Sequence, residues 1–325
     1  MNDIQLGLRG PRVSRIAFGN WSAGGDWGDV DRKAAIAAHR KALDLGINLF
    51  DTARGYGFGA AEALLAEALA PELRSRRDQV VIATKGGLRP DGHGELTRDS
   101  SAKGLREDLE ASLRSLNTEY VDLYQVHWPD PATPVAETAE ALDTFVREGK
   151  IRYAGVSNYD AREMAAFQQT RPIDTLQPPY HLFRREIEDS ILPYAAEHAI
   201  GVLVYGPMAH GLLTGHITAD TTFSPGDWRS KSDVFRGETF RRNLAIVREL
   251  EAFASARGIS IAQLSIAWTL ANPAVHVAIV GARNPQQIAS TAPAADIKLT
   301  PDDMAQIDAI TRNEVPVGGP SPELV

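Results

Sequence analysis

Cysteine is absent from the 325 residues. Disulfides and thiolate metal sites are therefore excluded, and no metal site is expected. An excess of positive charge is absent too: 34 Lys and Arg stand against 42 Asp and Glu, a net charge of −8. A nucleic-acid binder normally presents a basic face, so no polyanionic partner is expected. No apolar run approaches the ~18 residues that a membrane span needs. The opening "MNDIQLGLRG" lacks the apolar stretch of a secretory signal. Low-complexity tracts, linkers and visible domain boundaries are also missing. These absences predict one cytoplasmic domain over residues 1–325, with neither membrane nor nucleic acid as partner. Oligomeric state is left open.

The 43% of hydrophobic residues is ample for a large core. They are arranged in eight short β-rich runs: "RIAFG" (15–19), "INLFDT" (47–52), "VVIATKG" (80–86), "VDLYQVH" (121–127), "IRYAGVS" (151–157), "TLQPPY" (175–180), "IGVLVYG" (200–206) and "VHVAIVG" (275–281). Between them lie segments with apolar residues at three-and-four spacing, such as "RKAAIAAHRKALDLG", "SAKGLREDLEASLRSLN" and "VAETAEALDTFVREGK". Continuous apolar strands alternating with helices imply parallel strands covered on their outer faces. Eight such units fit an α/β fold of the (β/α)8 TIM-barrel type. A doubly wound open sheet is the alternative. It usually carries a glycine fingerprint after its first strand, and "FGNWSAGGDWGD" does not match one. Two segments stand outside the repeat. "IQLGLRGPRVSR" reads as an N-terminal β-hairpin. The long polar loop His216–Thr239 after the seventh strand has the character of a lid or binding loop.

Catalytic groups of such barrels come from the C-terminal ends of several strands. Here those ends carry Asp51, Lys85, His127, Ser157 with Asn158, and Tyr205, Gln177 lies in the sixth run, and Tyr56 follows Asp51 in a glycine-rich turn. Each alone has an ordinary structural role available: a turn former, a solvated strand end, a core histidine, a helix cap. Together they make coherent chemistry. A buried lysine needs a counter-charge, which Asp51 can supply. A lysine ammonium beside a phenol favours the phenolate and lowers the tyrosine pKa from its usual ~10. Tyr56 is thereby expected to be a proton donor usable near neutral pH. His127 can hydrogen-bond the same substrate oxygen, so the pair stabilises charge developing on a carbonyl oxygen.

The chain resembles the aldo-keto reductases over essentially its whole length. The resemblance rests on "FDTARGYG", "IATKGG", "LYQVHWPDP", "GVSNY", "QPPYHLFRR", "VYGPMAHGLLTG" and "IVGARNPQQI", in the family's order. The "GARN" variant and the long loop after "LLTG" are similar to the bacterial and potassium-channel-β-like branch. The resemblance implies a (β/α)8 barrel that binds NADPH (NADP+ in the oxidised state) and reduces aldehydes or ketones to alcohols by hydride transfer. It implies a catalytic tetrad of Asp51, Tyr56, Lys85 and His127. Ser157, Asn158 and Gln177 match the positions that hold the nicotinamide carboxamide, and Tyr205 the aromatic that stacks on its ring. Gly206, Pro207, Met208, Gly211 and Leu212 match the loop along the pyrophosphate. Gly281, Arg283 and Gln287 match the segment around the adenosine 2′-phosphate.

Some positions depart from the family pattern. A lysine is common where Gly281 stands, and an asparagine where Thr291 stands, which leaves the 2′-phosphate mainly to Arg283. NADPH is therefore expected and NADH is possible. Near the first strand Asn20 and Trp21 replace the commoner Gly-Thr pair, with contacts to cofactor expected there as well. Trp21, Tyr56, His127 and Trp128 are expected to line the pocket of a small carbonyl substrate, with Phe58 and Trp228 also near the mouth. No basic cluster demands a phosphorylated or carboxylated substrate. Two other functions compete: an NADP(H)-binding sensor or regulatory protein with little turnover, and, more remotely, a Schiff-base lyase using Lys85.

Overall fold

The computed structural model describes residues 3–90 and 96–319. Each expected run forms a strand: β1 (Ile16–Gly19), β2 (Leu49–Asp51), β3 (Val81–Gly86), β4 (Val121–Val126), β5 (Ile151–Ser157), β6 (Thr175–Gln177), β7 (Gly201–Tyr205) and β8 (Val277–Gly281). All pair in parallel, and β8 closes on β1 to complete a barrel. Such strands are buried on both faces, which explains their unbroken apolar character; β4 is buried at every position.

The intervening segments become helices because capping residues start them where the apolar period begins. Asp31 accepts from the Ala34 amide and Ser101 from the Gly104 amide. Asp160 with Glu163 and Ser260 with Gln263 form reciprocal capping boxes. The three segments expected to be helical fold as Arg32–Asp44, Ala102–Leu116 and Val135–Arg147.

Two large packed regions result, beside a small third cluster of Ala23, Ala35, Ala61 and Leu64. Ala17, Leu49, Ala83, Leu123, Leu203, Val277 and Ile279 fill the barrel interior. Leu6 and Val13 of the expected N-terminal hairpin (Asp3–Gln5 against Arg12–Ser14) join them and plug the N-terminal end. The larger core lies between the strands and the outer helices. The barrel is therefore solid, and the polar ends of its strands meet at the opposite, C-terminal face.

Register brings them together. Asp51 pairs with Ala83, Lys85 with Gln125, Gln177 with Ser157 and Tyr205 with Ile279. A second hairpin, Leu88–Pro90 with Leu96–Arg98, follows β3 and was not expected. The long loop is also less open than expected. It contains two 3₁₀ turns, Trp228–Lys231 and Asp233–Phe235, and the helix Gly237–Ser255 starts inside it.

Candidate active site

Lys85 ends an inward-pointing row of β3 and is buried, with 1% of its surface exposed. Its ammonium has three protons and three oxygen partners. It donates to Asp51 Oδ1 at 2.6 Å, to the Thr52 carbonyl at 2.9 Å and to Tyr56 Oη at 3.2 Å. Asp51 uses its second oxygen as well, accepting from Gln177 Nε2 at 2.8 Å. The Tyr56 and His127 rings meet edge to face with centroids 5.6 Å apart. The four expected catalytic residues thus form one contiguous group.

Charge is tightly constrained in this group. Burial lowers the Lys85 pKa, against the pull of Asp51, and raises that of Asp51, against Lys85. Opposite charges 2.6 Å apart hold both groups as an ion pair. Burial, and then the Lys85 charge, hold the His127 imidazole well below its usual value, so it is neutral near pH 7. Its Nδ1 is buried without a partner among the described residues.

The expected lowering of the Tyr56 pKa is overturned. Burial, reinforced by Asp51 and Asp26, raises the phenol well above its ordinary value. Burial is the largest cause, and the carboxylate that neutralises Lys85 also disfavours a second negative charge on the phenol. Tyr56 is consequently a neutral phenol with its proton in place.

The expected nicotinamide residues form a second cluster beside the first. Asn158 adopts φ +63°, a left-handed conformation that asparagine tolerates better than most residues. This turns its side chain so that Nδ2 donates to the His127 carbonyl at 2.9 Å while Oδ1 accepts from Tyr205 Oη at 2.9 Å. Ser157 Oγ donates to the Gln177 carbonyl at 2.8 Å. The half-buried Tyr205 ring and the turn from Gly206 through Pro207, Met208, Gly211 and Leu212 lie next along the rim.

These groups fit a nicotinamide dinucleotide. Gly206 has φ +69°, and a Cβ there would meet nothing closer than 3.8 Å, which leaves a cradle beside Tyr205. One wall of it is His181, whose Nδ1 accepts from the Phe183 amide. Its Nε2 is therefore the protonated nitrogen, buried with no acceptor among the described residues.

Other expected positions are placed differently. The buried Asn20 amide donates to the Ala61 carbonyl at 2.7 Å and contacts His39 Nε2 at 3.0 Å, so it ties β1 to the outer helices. Arg283 and Gln287 are exposed at the start of the helix Pro285–Thr291, just past the exposed Gly281. Gln287 Oε1 accepts from the Arg283 amide at 2.7 Å, and the Arg283 guanidinium donates to the carbonyls of Trp27 and Asp29. No carboxylate pairs with that guanidinium among the described residues. Trp128 is half-buried beneath the Arg98 guanidinium. Phe58 is exposed on its turn.

The lid-like loop expected from the sequence is a strap across the mouth, and what the sequence reading missed is its anchorage on the loop after β1. Trp228 stacks on Trp21 at 6.0 Å and meets Trp27 and His210 edge-on. Its amide donates to the Asp26 carbonyl at 3.0 Å, and Arg229 pairs with Asp227. The clustered tryptophans of "NWSAGGDWGD" and "GDWRS" were the available signal.

Comparison with known proteins agrees with this geometry. The sequence model of the Aldo/keto reductase family matches residues 15–312. The aldo-keto reductase YhdN of Bacillus subtilis (strain 168) is 41% identical, with 95% of this chain and 94% of that protein covered. The NADH-specific methylglyoxal reductase of Escherichia coli (strain K12) is 34% identical over 93% and 96%. The solved structure of the glycerol dehydrogenase AKR11B4 from Gluconobacter oxydans superposes with a TM-score of 0.86 at 38% identity, covering 98% of each chain. With the closed eight-stranded barrel and the polar cluster at its mouth, these matches establish that the chain belongs to the aldo/keto reductase family.

Proposed function

We propose that this chain is a single-domain NADPH-dependent carbonyl reductase that converts small aldehydes or ketones to alcohols. The observation that carries the reading is the Lys85 ammonium held by Asp51 with the Tyr56 hydroxyl as its third partner, beside His127. Ser157, Asn158, Gln177 and Tyr205 would hold the nicotinamide of a bound cofactor, which would supply a hydride to the carbonyl carbon. Tyr56 donates its proton to the carbonyl oxygen as negative charge develops there. Lys85, 3.2 Å away, stabilises the phenolate that remains. The neutral His127 orients the carbonyl, and Trp21 and Trp128 line the pocket. Asp51 keeps Lys85 charged and in place. That ion pair also makes Lys85 a poor nucleophile, which disfavours Schiff-base chemistry.

Ser157, Asn158 and Gln177 are the groups to hold the carboxamide, and the Gly206–Leu212 turn the pyrophosphate. Arg283 supports NADPH over NADH, because an exposed guanidinium with no carboxylate partner can take a phosphate in a two-pronged contact. NADH is the competing cofactor, since a relative bears the name of an NADH-specific enzyme. The test is quenching of tryptophan fluorescence by each nucleotide, followed by 4-nitrobenzaldehyde in the same cuvette. Tight NADPH binding and its oxidation on adding aldehyde are expected. Binding without NADPH oxidation by any aldehyde would favour the sensor function instead.

A further inference from the structure

We infer that Asp26 is a substrate-specificity residue: it selects carbonyl compounds that carry a hydroxyl group and rejects those that carry a negative charge. The inference rests on the reductase reading above and concerns the same mouth.

Its basis is the way the loop after β1 sits on the catalytic turn. The backbone at Gly24 lies so close to that of Tyr56 that a Cβ on Gly24 would come within 2.8 Å of the Tyr56 carbonyl carbon. This contact fixes the loop against the proton donor. The half-buried Trp21 ring lies beside Tyr56, with centroids 6.3 Å apart. From its edge Nε1 donates to Asp26 Oδ2 at 2.8 Å. The backbone of Asp26 is pinned from the other side by the Trp228 amide. Asp26 is thus a positioned carboxylate held on the indole beside Tyr56, near enough for its charge to act on the phenol.

One Asp26 oxygen is committed to Trp21, and the other has no hydrogen-bond partner among the described residues. The side chain is exposed, so it can accept from a hydroxyl further along a substrate whose carbonyl oxygen faces Tyr56. Its charge is also unmatched: no cation pairs with it among the described residues. Lys85 pairs with Asp51 and Arg229 with Asp227, and the Arg283 guanidinium donates to the backbone carbonyls of Trp27 and Asp29 rather than to the Asp26 carboxylate. A carboxylated or phosphorylated aldehyde in this mouth meets Asp26 without compensation.

The test compares glyceraldehyde with propanal, and 4-oxobutanoate with butanal, at saturating nucleotide, in the wild type, Asp26→Asn and Asp26→Leu. The wild type is expected to favour glyceraldehyde over propanal and butanal over 4-oxobutanoate. Asp26→Leu is expected to raise KM for glyceraldehyde about tenfold, the scale of one hydrogen bond to a charged group, with kcat changed less than twofold. Asp26→Asn keeps an acceptor for Trp21 and presents its NH2 group, which can donate to the substrate hydroxyl, but lacks the charge. It should retain most of the glyceraldehyde preference while kcat/KM for 4-oxobutanoate rises severalfold. An unchanged glyceraldehyde-to-propanal ratio in Asp26→Leu would overturn the inference and leave the reductase reading standing. Equal losses on all four aldehydes would overturn it in favour of a purely structural hold on Trp21. No turnover of any aldehyde by the wild type would overturn both.

Discussion

Replacing Asp51 by Asn removes one charge from a buried pair and preserves its shape. Both carboxylate oxygens are engaged, by Lys85 at 2.6 Å and by Gln177 at 2.8 Å. An asparagine can satisfy only one of them. In either orientation its NH2 group faces a donor, and Lys85 loses its counter-charge. Removing one partner of a buried ion pair typically costs about 3–5 kcal/mol, and we expect a loss of that size at pH 7. The pH dependence separates the charge effect from the hydrogen bond. Burial already lowers the Lys85 pKa, and without Asp51 nothing comparable opposes that shift. A lysine whose folded-state pKa lies below its unfolded value binds its proton more tightly when unfolded. Stability then falls as pH drops from the unfolded value toward the folded one, and recovers as pH rises. Each pH unit in that window is worth ~1.4 kcal/mol, so the deficit of Asp51→Asn should shrink by up to ~2.7 kcal/mol between pH 7 and pH 9. Urea unfolding of wild type and variant at both pH values measures this. A deficit below ~1 kcal/mol at pH 7, or one that does not change with pH, would refute the role assigned to Asp51 as the counter-charge of Lys85.

Two further perturbations probe other parts of the account. Arg283→Ala should weaken NADPH binding at least tenfold more than NADH binding in fluorescence titrations; equal losses would remove Arg283 as the reader of the 2′-phosphate. Gly86→Ala would place a methyl 2.0 Å from the buried Tyr124 hydroxyl, which is held by the Leu105 carbonyl. Thermal unfolding should show a loss of about 1–3 kcal/mol, and a neutral substitution would mean that the β3–β4 contact yields more readily than its packing suggests.

The barrel and its rim were legible in the sequence because two signals coincided there: unbroken apolar runs, and a polar residue ending five of them, with Gln177 inside a sixth. Parallel pairing in register then carries Asp51, Lys85, Gln177 and Tyr205 to one face with little further information. What stayed hidden depends on contacts between distant segments. The direction of the Tyr56 shift turns first on how completely the fold buries the phenol and then on the Asp51 and Asp26 carboxylates near it, which residue types do not encode. Asn20 looked like a rim residue, but its amide is drawn outward by Ala61 and His39. The strap joins Trp21 and Asp26 to Trp228 across about two hundred residues, so neither segment announces the other. The hairpin after β3 is made of three-residue strands, too short for alternation to show.

The central claim is that Tyr56 is the acid that protonates the carbonyl oxygen. The most direct measurement is the single-turnover rate of NADPH oxidation by Tyr56→Phe with 4-nitrobenzaldehyde, alongside the nucleotide Kd from tryptophan quenching. The account predicts a rate lowered by at least about a hundredfold, with Kd changed less than threefold. A rate near that of the wild type, with binding intact, would contradict it.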